Sequence, residues 1–311
     1  FVAKNVQLEN RREKIIIASD VQPGSPVSIG FREVNLEYLT SMIAGEEPLS
    51  GLLEGDINLF PDEDGMTFTS DLSITDFRIR EIGWGNLSLA VEQQVKNRFD
   101  VNFALSGNQN NVKIEGFYLG GEAPAMDLKA NINHFNLNSL QPVLADQLQH
   151  LKGVLTGEIR ARGTTQRPDI DGGLLLRDTY FLSTFLNTTF SIDNETVSFI
   201  DEGIAFNAFE IADGDGNKAR LDGTILTRTY RDFRFNLDLF TDKFRFLNTT
   251  AEDNDLFYGK VDLEANASIR GNMTTPVVDI DIGLSEGSNL TYVVPQSEAS
   301  ALQAEGVVTF V

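Results

Sequence analysis

Leu49-Ser50-Gly51-Leu52-Leu53-Glu54-Gly55-Asp56-Ile57 decides the reading of this chain, because it returns as Leu151-Lys152-Gly153-Val154-Leu155-Thr156-Gly157-Glu158-Ile159. A looser copy runs Phe257-Tyr258-Gly259-Lys260-Val261-Asp262-Leu263. The leading glycines, Gly51, Gly153 and Gly259, stand 102 and 106 residues apart. A stretch of local helical character precedes each copy: Asn35 to Leu39, Asn136 to Leu140, and Arg245 to Asn248. The second and third copies are followed by Gly-x4-Pro turns, Gly163 to Pro168 and Gly271 to Pro276. A unit that repeats in this way does not close its own core and stacks on its neighbours. The period is too long for the short solenoid repeats, so each unit holds several strands. We read 1–311 as a single elongated array with approximate units 1–48 (partial), 49–150, 151–256 and 257–311 (partial).

Working outward, period-two alternation dominates. Val101, Phe103 and Leu105 share one face of a strand, and Met126, Leu128 and Ile132 share one face of another. Phe233, Phe235, Leu237 and Leu239 alternate with Arg234, Asn236 and Asp238. Val261, Leu263 and Ile269 belong to a further run, and Val278, Ile280 and Ile282 alternate with Asp279 and Asp281. This is the pattern of antiparallel strands with one apolar and one wetted face. Turn signals such as Pro61 to Gly65, Gly107 to Asn110, Asp213 to Asn217 and Ser285 to Gly287 cut the chain into about twenty strands. The fold class is all-β, an elongated curved antiparallel sheet with a few short helices. Helical spacing is confined to about 33–45 and about 137–150, the latter from Leu140, Val143, Leu144, Leu148 and Leu151. A sheet whose apolar face lacks a covering layer of helices must curl onto itself or cover a ligand, so the residues at these apolar positions are the candidate lining of a groove.

Composition narrows the function classes. With 46 acidic against 25 basic residues the net charge is −21, which repels a phosphate backbone and argues against nucleic-acid binding. The 22 Phe against 6 Tyr and 1 Trp favour a dry or lipid-like surround over a wet recognition cleft. Absence of Cys removes disulfides, thiolate catalysis and Cys-ligated metal. The chain opens on Phe1 and ends on Val311 inside alternating patterns, which reads as an internal piece of a longer polypeptide with any anchor outside it.

Catalytic and metal chemistry finds little support. His134 and His150 have no metal-ligand spacing and are read as structural, and no Gly-x-Ser-x-Gly elbow is present. Asp213-Gly-Asp215-Gly-Asn217 resembles the start of a calcium loop, but an EF-hand's positions six and twelve hold Lys218 and Thr224, so a hairpin turn is expected. Asp279 and Asp281 read as a solvated face. Sequons at Asn86, Asn187, Asn194, Asn248, Asn266, Asn272 and Asn289 are read as chance. We expect no enzymatic activity, no cofactor and no metal site.

The Leu-x-Gly-x3-Gly strand starts, the helix-then-hairpin units and the Gly-x4-Pro turns together resemble the AsmA-like superfamily. More narrowly they look like TamB, the inner-membrane subunit of the translocation and assembly module, in its Bacteroidota form. Two passages carry the narrower likeness: Ala208 to Gly223, and Leu290 to Ser297 followed by Glu305 to Val311. The resemblance implies a sheet bent into a U-shaped trough, a β-taco with an apolar interior. It implies a periplasmic segment of an inner-membrane-anchored protein in a Gram-negative bacterium. The implied partners are phospholipid acyl chains and, through regions outside this chain, an Omp85-family outer-membrane barrel of the TamA type. The implied role is phospholipid transport to the outer membrane and outer-membrane protein assembly. The alternatives are a closed β-solenoid adhesin or structural surface protein, which would show calcium-binding nonapeptides or Thr/Asn ladders, and a β-helix enzyme acting on acidic polysaccharide.

Overall fold

Alternation of this kind propagates a sheet as long as each strand finds a neighbour, and here the neighbour is the next strand in sequence. The computed structural model describes residues 5–10, 12–19, 25–43, 49–62 and 65–293. Among the described residues, nineteen strands form a single curved antiparallel sheet. They are β1 (Asn5–Asn10), β2 (Glu13–Ser19), β3 (Val27–Asn35), β4 (Leu49–Asp62), β5 (Gly65–Ile79), β6 (Ile82–Val95), β7 (Arg98–Gly107), β8 (Asn110–Leu119), β9 (Ala125–Asn136), β10 (Leu148–Thr164) and β11 (Arg167–Ser183). They continue as β12 (Thr188–Ile192), β13 (Glu195–Ile200), β14 (Gly203–Asp213), β15 (Lys218–Leu226), β16 (Arg234–Thr249), β17 (Phe257–Asn272), β18 (Pro276–Leu284) and β19 (Asn289–Tyr292). Two steps are shared. The short β12 and β13 divide the edge of β11 between them, and β18 and β19 divide that of β17.

The repeated stretch is the first half of β4, β10 and β17. Gly51, Gly153 and Gly259 all have φ between +120° and +142°. A register shift lies beside each of the first two, where the strand leaves its cap and enters the ladder. Gly55 and Gly157, four residues on, approach the opposite backbone so closely that an added Cβ would lie 2.0 Å from a carbonyl oxygen. Only glycine fits there, which is why the spacing recurs.

Each helical expectation meets a different outcome. The helix α1 (Leu36–Ile43) precedes β4, opened by Asn35, whose Oδ1 accepts the Glu37 N–H. Before β10 the chain makes a 3₁₀ turn (Leu137–Leu140) and a single-turn helix α2 (Gln141–Leu144), so the helix read over 137–150 is too long. Gln141 explains the stop. Its Nε2 donates to the Leu148 carbonyl and its Oε1 accepts the Leu151 N–H, both at 2.8 Å, fixing those residues in β10 around the left-handed His150. Arg245 to Asn248, read as locally helical, lies inside β16. Phe246 is exposed and Leu247 buried there, the period of a strand.

The core sits at the end of the strands where these caps lie. Val34, Leu36, Leu53 and Phe77 form one cluster. Phe190, Ala219 and Phe244 form another, and Leu247, Val261, Leu263 and Ala265 a third.

Candidate functional site

Away from the caps, the ladder lines up one residue from each step of the sheet. Reading partner to partner, the row is Leu8, Ile15, Phe31, Gly55, Leu72, Leu89, Phe103, Ile114, Ala130 and Ile159. It continues through Gly172, Phe199, Ile204, Ile225, Phe235, Gly271 and Pro276. No member is polar. At about 4.8 Å per step, the row extends roughly 80 Å across the sheet. Its members from Ile15 to Phe235 are mostly half-buried, neither sealed in a core nor set out in water. The row is a half-covered apolar stripe on one face of the curved sheet.

Beside it lies a cavity of about 340 Å³ lined by Phe77, Trp84, Leu87, Phe103, Leu105, Val112, Ile132, Phe135 and Leu155. The Trp84 ring meets Phe77 and Phe135 edge-on, with centroids 6.2 and 5.6 Å away. The lining carries no ionisable side chain, so the arrangement offers mainly dispersion contacts and exclusion of water.

The opposite face is wetted and charged. Cross-strand pairs Arg32–Asp56 (2.9 Å), Lys129–Glu158 (2.8 Å), Arg160–Asp127 (2.7 Å) and Arg270–Asp238 (2.8 Å) tie neighbouring strands there. The hydrogen bond and charge of Arg160 hold the Asp127 carboxyl below its usual range. These ion pairs lie on the face opposite the apolar row.

The expected lining residues divide into three groups. Val101, Phe103, Met126, Leu128, Ile132, Phe233, Phe235, Leu239 and Ile269 are half-buried. Val101 and Leu128 lie in a row next to the floor, joined through Gly116. Leu105 and Leu237, 3% and 8% exposed, and Val261 and Leu263 are buried. The last two belong to the core at the cap end. Val278, Ile280 and Ile282 are at least half-exposed on β18, the last long strand. Sequence reading missed Phe31, Leu72, Leu89, Ile114, Ile159, Phe199, Ile204 and Ile225. Each sits on an alternating strand, but its membership of one row is a matter of register.

A polar network closes the cap end between β14 and β17. Asp213 is buried in the β14–β15 turn, the hairpin expected at that position. It accepts N–H bonds from Asp215, Asn217 and Arg245 at 2.7–2.9 Å and one from the Asn217 amide at 2.8 Å. Burial opposes ionisation of Asp213, but these donors outweigh it and hold the carboxyl low. Arg245 reaches on to Asp215 (2.7 Å) and pairs with the buried Asp262. Its hydrogen bond lowers Asp262 against the opposing effect of burial.

This network and the last four members of the row lie in a segment with a known counterpart. Residues 207–311 match the TamB C-terminal domain. The TamB match begins in β14 and takes in the Asp213 turn, Phe235, Leu237 and all of β17 to β19. It also includes both passages that carried the narrower likeness, of which 294–297 and 305–311 lie outside the described residues. No curated protein and no solved structure matches the chain. No helix among the described residues is long and apolar enough to cross a membrane.

Proposed function

We propose that this chain is a TamB-like segment, of the Bacteroidota form, that carries phospholipid acyl chains along its trough across the periplasm. The observation that carries the reading is the uninterrupted apolar row, open along its length and backed by a charged face. A closed solenoid would bury such a row. Burial of methylenes is worth ~0.8 kcal/mol each, so a ~16-carbon chain gains on the order of 10 kcal/mol before the entropy lost on binding. That is enough to hold lipid and, with equivalent sites at successive steps, to let it move. The TamB match over 207–311 supports an envelope location and a part in phospholipid transport to the outer membrane and outer-membrane protein assembly. In this reading the protein is not an enzyme and binds no cofactor. It belongs to an inner-membrane-anchored protein of a Gram-negative bacterium, and an Omp85-family barrel is met by regions beyond this chain.

The test is lipid extraction from protein purified without detergent, followed by mass spectrometry. Diacyl phospholipid in stoichiometric amount is expected. A lipid-free preparation that also fails to take up phospholipid from vesicles would overturn the proposal.

A further inference from the structure

The strand ends opposite the caps are joined by hairpin turns, and one group of these encloses a second cavity of about 420 Å³. Three arginines line it: Arg167 at the start of β11, Arg228 in the loop between β15 and β16, and Arg234 at the start of β16. Arg234 adjoins Phe235 of the apolar row, and Arg167 lies three residues from the inward-facing Ile170. Strand alternation therefore turns both to the polar side of the rim. Glu202 and Asp232 also line the cavity. Arg228 Nη2 stands 3.0 Å from Glu202 Oε1, so that pair neutralises itself.

Arg32, Arg160 and Arg270 on the polar face each hold a carboxylate. Among the described residues, the Arg167 and Arg234 guanidinium groups make no hydrogen bond and no ion pair. With Arg228 and Glu202 set off against each other, Asp232 counts against one of the two without pairing with either, which leaves one positive charge over in the lining of a chain whose net charge is −21. The loop carrying Arg228 is fixed at its base: Thr227 N–H donates to the Glu202 carbonyl at 2.7 Å, and Thr227 Oγ1 accepts the Tyr230 N–H at 2.9 Å.

We propose that this cavity binds a phosphate group through Arg167 and Arg234. Planar guanidinium forks match the oxygens of a phosphate, and two of them with one carboxylate nearby retain a net attraction for an anion. Two sources share this chemistry, a phospholipid headgroup and free phosphate. The headgroup source rests on the lipid reading of the trough. With Phe235 on the row and Arg234 on the rim, a lipid lying across this edge would bring its phosphate to the arginines while its chains follow the apolar floor. The free-phosphate source needs no trough.

Calorimetric titration of the 311-residue chain with inorganic phosphate, and separately with micelle-free dibutyryl phosphatidylglycerol, tests the site. Both arginines are exposed, so R167Q and R234Q should fold, and circular dichroism checks this. Each substitution is expected to weaken binding about tenfold, the worth of a charge-assisted hydrogen bond, and the double variant more. R177Q, an exposed arginine elsewhere on β11, should change affinity less than about twofold. Weakening for both ligands places a general phosphate site, and weakening for the lipid alone places a headgroup site. Wild-type protein that binds neither, or an R177Q loss equal to that of R167Q/R234Q, overturns the inference. Phosphate binding that survives while the trough takes up no lipid would overturn only the proposed function.

Discussion

The two ends of each long strand share one alternating pattern and meet different fates. At the cap end, Leu247 is 2% exposed, its neighbours Val261 and Leu263 are buried with it, and the Arg245–Asp262 pair is shut in beside them. Toward the other end, Phe103 and Phe235 lie half-covered on the apolar row. What separates them is cover. Bulges, short helices and the Asp213 turn fold over the cap end, and among the described residues no such layer crosses the row. The same apolar residue types are therefore sealed in one place and left half-covered in the other.

The contrast is broken most severely at the cap end. Arg245→Ala leaves the buried Asp262 carboxylate without its partner and is expected to cost about 3–5 kcal/mol, read from a urea transition. The lowered Asp213 and Asp262 carboxyls add a pH signature. Their stabilisation is complete above the ordinary aspartate value near pH 4 and is lost as pH falls through their depressed folded values. Asp213→Asn should thus lower stability at pH 6 and flatten its decline below pH 4. An acid limb as steep as that of the unaltered protein would remove Asp213 from the network.

Apolar truncations sharpen the same comparison. Leu247→Ala should cost about 3 kcal/mol and Phe103→Ala nearer 1 kcal/mol, although phenylalanine is the larger side chain. Equal losses would mean that the row is ordinary packed core. Gly172→Ala places a Cβ 2.1 Å from the Glu158 carbonyl at a φ of +129°, and about 2 kcal/mol of strain should appear as a lower melting temperature. Asp238→Asn, on the wetted face beside Arg270, should shift stability by no more than about 0.5 kcal/mol.

Much of the sheet is legible in the residues themselves. Period two and Gly/Asp turns mark the strands, and the Gly51/Gly55 spacing marks a backbone geometry that only glycine tolerates. The half-covered row is less legible, because alternation says which residues share a face but not whether that face is covered. Leu237 and Phe235 carry the same signal, yet Leu237 is buried and Phe235 half-open. Arg245 to Asn248 misled because a short stretch of mixed residues carries no period of its own. Leu148 and Leu151 fit a helical spacing, but the Gln141 side chain, by satisfying two backbone groups across the bulge, makes the strand the better solution. Register over nineteen strands accumulates from each turn and bulge, and only the folded chain shows that it delivers an apolar residue or glycine at every step.

The most direct test places a photo-reactive amino acid at Phe103 and Phe235 on the row, and at Asn102 and Asn236, their exposed neighbours on the opposite face. With the protein loaded with phospholipid, the positions at Phe103 and Phe235 should crosslink to lipid and those at Asn102 and Asn236 should not. Equal labelling on the two faces, or none at Phe103 and Phe235 while lipid is bound, would contradict an acyl-carrying trough.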